Sequence, residues 1–169
     1  NLKTAIKNII GFDFFLPTHQ GRAAENVLFS ALIKEGDCIP GNSHFDTTKG
    51  HIEYRRAKAI DCTIDAAMDT QLEIPFKGNV CLHKLENALA KYHEHTPFII
   101  VTITNNTAGG QPVSMANLRE VKALADLYGK PVIIDAARFA ENAYFICHRE
   151  EGYRDKTYRQ IAQEMCALA

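Results

Sequence analysis

Residues 98–104 read Phe-Ile-Ile-Val-Thr-Ile-Thr, a continuous apolar and β-branched run. A run with no polar face predicts a strand buried on both sides, as in parallel sheets. The glycines and proline of Asn105-Asn106-Thr107-Ala108-Gly109-Gly110-Gln111-Pro112 predict a loop after it. Leu118, Val121, Leu124, Ala125 and Tyr128 then recur at helical spacing, with Ser114 as a candidate N-cap and Gly129 as a stop. Pro131-Val132-Ile133-Ile134-Asp135 is a second buried run. Strand, helix and strand in this order predict a βαβ unit with parallel strands and a right-handed crossover.

The flanking elements follow from weaker patterns. A helix is expected over 22–33, short strands at Ile39 and over 59–63, and a helix capped by Asn79 that runs to about Tyr92. Residues 141–149 read as helical. Thr157-Tyr158-Arg159-Gln160 matches a capping box and opens a last helix towards the chain end. Phe45-Asp46-Thr47-Thr48-Lys49-Gly50-His51 reads as a polar loop with an aromatic stacking face. The pattern as a whole predicts an α/β domain with a mostly parallel sheet flanked by helices.

A length of 169 residues fits one domain. A net charge of −1, from 19 basic and 20 acidic residues, gives no electrostatic footprint for nucleic acid. No apolar stretch approaches the ~20 residues that span a bilayer, and the first residues do not read as a signal peptide. The expected location is therefore the cytoplasm. The absence of an initiator Met raises the expectation that the sequence is a piece of a longer chain. Cys38, Cys62, Cys81, Cys147 and Cys166 lack any Cys-x-x-Cys spacing and read as reduced thiols. His93 and His95 read as a solvated helix end ahead of Pro97 rather than as metal ligands, so no metal site is assigned.

Ligands of open parallel sheets bind beyond the carboxyl ends of the strands. Asn106 and Asp135 fall there, with Arg138 three residues beyond the acid. Asp135 and Arg138 can form a site or a structural ion pair. Thr18-His19-Gln20-Gly21-Arg22 precedes a predicted helix, whose free N–H groups and positive dipole end suit a phosphate. Arg22 adds a charged fork. A helix end for a phosphate, an aromatic for a ring face (Phe45) and an acid for a ring nitrogen together fit a phosphorylated aromatic cofactor such as pyridoxal phosphate.

Four segments in series carry a resemblance to a known family: Thr18-His19-Gln20-Gly21-Arg22, Phe76-Lys77-Gly78, Ala108-Gly109-Gly110-Gln111-Pro112-Val113-Ser114, and Glu141-Asn142-Ala143-Tyr144-Phe145-Ile146. They resemble the β-eliminating lyases, the family of tryptophanase and tyrosine phenol-lyase. Asp46 and the stretch Asp135-Ala136-Ala137-Arg138-Phe139-Ala140-Glu141 are more similar to tryptophanase, although residues 34–44 are shorter than that form. The resemblance implies part of the large domain of a fold-type-I pyridoxal-phosphate enzyme across residues 1–169. It implies Gln20, Gly21 and Arg22 at the cofactor phosphate, Phe45 on the ring face, Asn106 and Arg138 near the ring hydroxyl, and Asp135 at the ring nitrogen. Asp135 and Arg138 are thereby the expected catalytic residues, and Asp46 the residue that sets substrate preference.

The same resemblance implies cleavage of an aromatic amino acid, L-tryptophan ahead of L-tyrosine, and a homo-oligomer built as a dimer-based tetramer. It also implies a monovalent cation such as potassium, whose ligands are not in this chain. The lysine that carries the cofactor and the small domain are likewise expected outside these residues, so the chain alone is expected to be inactive. A truncated, non-catalytic piece is the competing reading.

Overall fold

The computed structural model describes residues 1–169. Four strands form one sheet: β1 (Cys38–Gly41), β2 (Lys58–Asp61), β3 (Ile99–Thr102) and β4 (Val132–Asp135). Their order is β2-β1-β3-β4 and every pairing is parallel. The helices are α1 (Leu2–Ile10), α2 (Gly21–Leu32), α3 (Asp46–Tyr54), α4 (Leu82–Tyr92), α5 (Met115–Leu127), α6 (Phe139–Arg149) and α7 (Tyr158–Cys166). The βαβ unit of β3, α5 and β4 is present as the pattern predicts, with Ser114 accepting from the Asn117 N–H and Gly129 at φ +63°.

The strand period of two divides the core. Ile99, Val101 and Ile103 point into a large cluster with residues of α4, α5, α6 and α7. Phe98 and Ile100 point the other way, into a small cluster with Phe29 and Ile33 of the α2 end and Ile52 of α3. Both faces are covered, which is why β3 reads as unbroken apolar sequence.

Three expectations need correction. Residues 46–54 are a helix, not a loop. Thr47, Thr48 and Gly50 are poor helix formers, so the sequence hid an element that Ile52 stabilises by full burial. Asn79 does not cap α4, whose N-cap is Cys81. Its side chain instead accepts from the Ser114 N–H at 2.9 Å, joining two loops. Asp135 and Arg138 form no ion pair; Arg138 is exposed at the N-cap of α6. The Thr157 capping box is present, with Gln160 reaching back to the Thr157 N–H at 2.9 Å.

β1 and β3 share a single register pair, Gly41 with Ile100. This is the point where the chain turns from building the sheet one way to building it the other, the usual place for a ligand crevice. A Cβ on Gly41 would lie 2.3 Å from the Ile100 carbonyl oxygen, so only glycine lets the strands meet there.

Candidate active site

A cavity of about 770 Å³ lies under α2, on the side of the small core cluster. Gln20, Gly21, Arg22, Phe45 and Asp135 all line it, together with Glu25, Thr47, Ile100 and Ile133. Three stretches far apart in sequence therefore meet at one place. The carboxyl end of β4 reaches it through Ile133, Ile134 and Asp135.

The N-terminus of α2 is open. Gln20 is its N-cap at φ −163°, yet its side chain caps nothing and turns to His19 at 3.1 Å. The first N–H groups of α2 are left for a ligand, and Arg22 makes no ion pair in the protein. A Cβ on Gly21 would meet nothing within 4 Å. Protein packing does not require glycine there, whereas an anion pressed against the backbone would.

Asp135 sits half-buried in the cavity lining and accepts only from the Ala137 N–H, at 3.2 Å. Burial raises its pKa above the ordinary carboxylate value, the Ala137 bond opposes the rise, and the Glu25 carboxylate adds to it. An acid lacking a cationic partner in a cavity is a group that a protonated ring nitrogen would complete. Phe45, the N-cap residue of α3, lines the same cavity. Three expected site residues do not line the cavity. Asn106 and Arg138 are exposed beyond the strand ends, and Asp46 is exposed with Oδ1 accepting from the Thr47 N–H at 2.6 Å.

Sequence reasoning missed the framework behind these walls. Asn42 donates to the carbonyls of Gly78 at 2.7 Å and Thr102 at 2.9 Å, and accepts from the Thr102 N–H at 2.8 Å. Its amide replaces the ladder that β1 and β3 lack. Asn105 donates to the Asn42 and Ser43 carbonyls at 2.7 and 2.8 Å. Asn142 accepts from the Thr104 and Val113 N–H groups and donates to the Val113 carbonyl. The available signal was an asparagine just past each of two strand ends, β1 and β3.

The fold and cavity define an α/β domain of the aminotransferase type. Superposition on alanine aminotransferase from Pyrococcus furiosus gives a TM-score of 0.66 over 99% of this chain and 49% of that one, at 17% identity. Cystalysin from Treponema denticola, which contains a pyridoxal 5'-phosphate cofactor, superposes with a TM-score of 0.61 over 79% of this chain and 32% of that one, at 14% identity. A family model described as beta-eliminating lyase matches residues 1–169, and the chain belongs to that family.

The chain is 70% identical over 168 residues to a probable β-eliminating lyase of Trichomonas vaginalis, covering 99% of this chain and 37% of that protein. It is 49% identical to a tryptophanase of Salinibacter ruber, over 98% of this chain and 35% of that one. It is 50% identical to a tyrosine phenol-lyase of Symbiobacterium thermophilum, over 97% and 36%. The chain thus spans little more than a third of these relatives' length. The two substrate types stand equally near by identity.

Proposed function

We propose that the full-length protein carrying this chain uses pyridoxal phosphate to cleave the Cβ–Cγ bond of an aromatic amino acid, turning L-tryptophan into indole, pyruvate and ammonia. The carrying observation is the cavity, where an open helix N-terminus, an aromatic ring and an acid with no cationic partner face one space in a chain of this family. When bound, pyridoxal phosphate supplies a protonated pyridine ring that accepts the electron pair left by a bond broken at the substrate's Cα.

The chain's own residues have distinct tasks in this reading. Gln20, Gly21 and Arg22 bind phosphate through backbone N–H groups and a guanidinium. Phe45 orients the ring by covering one face. Asp135 holds a proton on the ring nitrogen, and the low-dielectric wall strengthens that contact. Arg138 and Asn106 stabilise charge on the ring oxygen once their exposed loops are covered. Asp46 biases the substrate side towards an indole N–H, which only donates. Asp46 and the Asp135–Glu141 stretch are the features that favour tryptophan over tyrosine. By the same reading the lysine and the monovalent-cation ligands that complete the site lie outside these residues, and the 169-residue chain alone is inactive. A cytoplasmic homo-oligomer is the expected setting.

The test is the full-length protein reconstituted with pyridoxal phosphate and offered L-tryptophan and L-tyrosine. A visible absorption band from bound cofactor, with indole released faster than phenol, is the expected result. Phenol as the faster product moves the substrate to tyrosine. No cofactor band and neither product refutes the reading.

A further inference from the structure

Glu25 stands one turn inside α2 from Gly21 and faces the first turn of α3. One carboxylate oxygen accepts from the Thr47 hydroxyl at 2.7 Å, and the other accepts from the buried Thr48 hydroxyl. Phe45 belongs to that same turn, because its carbonyl accepts from the Lys49 N–H at 2.8 Å. At the C-terminal end of α3, Arg55 donates to the Asn26 carbonyl and side chain at 2.9 and 2.8 Å and to the Ser30 hydroxyl. Both ends of α3 are thus pinned to α2, and only the first touches the cavity. Glu25 is half-buried, and both of its carboxylate oxygens take their donors from the turn that carries Phe45.

We propose that Glu25 is a positioning residue: by gripping Thr47 and Thr48 it sets Phe45 at a fixed height over the ring that the helix end and Asp135 hold. This rests on the pyridoxal-phosphate reading above. α2 then carries both the phosphate-binding end and the support of the stacking residue, so the two walls of the site keep one spacing. A misplaced Phe45 leaves the ring free to tilt away from Asp135.

The test uses the full-length protein stripped of cofactor and titrated with pyridoxal phosphate. Affinity and the induced circular dichroism of the bound cofactor are read, with an apo-protein melt for each variant. E25A is expected to weaken binding roughly tenfold, the scale of one lost charge-assisted contact, and to change the dichroic band. E25Q is expected to restore both, since an amide accepts from one hydroxyl and donates to the other. R55A is expected to lower the melting temperature while leaving affinity and band in place. T47V in the E25A background is expected to add little, because both break one interaction. The inference is overturned if E25A matches wild type in affinity and band, or if R55A moves them as E25A does. A wild-type protein that binds no cofactor overturns the functional reading, and this inference with it.

Discussion

The two sides of the strand-end region differ in how their polar groups are used. Behind the cavity, Asn42, Asn105 and Asn142 are buried, and each amide spends both its oxygen and its nitrogen on the protein. In front of it, the α2 N-terminus is uncapped, Arg22 pairs with nothing, and Asp135 accepts a single N–H. The first side stabilises; the second leaves groups without protein partners, open to a ligand of matching charge. Saturated amides fix loops because an unmade buried bond is expensive, and rigid loops let the unsatisfied face keep its shape.

The sharpest way to break this contrast is Asp135→Asn in the full-length enzyme. A neutral amide cannot hold a ring nitrogen protonated. We expect kcat/KM to fall by about 3 kcal/mol or more, at least ~100-fold, while cofactor affinity changes far less. Near-normal turnover, read by indole release, would return Asp135 to a structural role.

His44 probes the buried framework through pH. It is buried beside Gly41, its Nε2 has no partner, and burial pushes its pKa down to about 4 from 6.5. The unfolded chain therefore takes up a proton below about 6.5 that the folded chain refuses until about 4. Stability is full above that window and falls as pH drops through it, by ~3 kcal/mol in all. Urea unfolding at pH 7, 5.5 and 4 should show that slope, and His44→Leu should flatten it.

Asn142→Ala tests the framework directly. It leaves the Thr104 and Val113 N–H groups without partners inside the core. A loss of about 2–3 kcal/mol in unfolding free energy is expected. An unchanged denaturation midpoint would mean that water replaces the amide.

How much of this was readable in advance depended on where the signal lay. β3, α5 and β4 were legible because their periodicities are strong and their caps local, as at Ser114 and Gly129. The helix α3 was not, because Thr47 and Thr48 gain their place from Glu25, 22 and 23 positions away. Gln20, Gly21, Arg22, Phe45 and Asp135 were placed by motif and do share a cavity. Asn106 and Arg138 follow from the same logic, but neither lines the cavity, although Ala136 and Ala137 just before Arg138 do. The asparagine framework escaped notice because a buried amide bonded to distant carbonyls leaves no period in the sequence.

Arg22→Ala acts on the unsatisfied side alone. The guanidinium contacts no protein acceptor, so the cofactor-free melt should stay within about 0.5 kcal/mol of wild type. Cofactor affinity should drop by about 2 kcal/mol, roughly 30-fold, because a charged fork on phosphate is lost. A matched fall in apo stability would place Arg22 with the framework instead.

Asp46→Thr carries the smallest expected effect and sharpens the boundary between the two sides. Asp46 spends one oxygen on the Thr47 N–H at the start of α3 and leaves the other to solvent. It is half framework and half free, next to Phe45, which lines the cavity. Threonine keeps a hydroxyl that can still accept from a neighbouring N–H, so the helix start survives. It removes the negative charge, which favours the N–H of an indole and opposes a phenolate. The ratio of kcat/KM for tryptophan over tyrosine should therefore fall by about tenfold, or ~1.4 kcal/mol. Asp46 is exposed, so water already meets part of its hydrogen-bonding need, and this keeps the effect below that of a fully buried match. An unchanged ratio, measured with both substrates on the same preparation, would assign Asp46 wholly to the start of the helix.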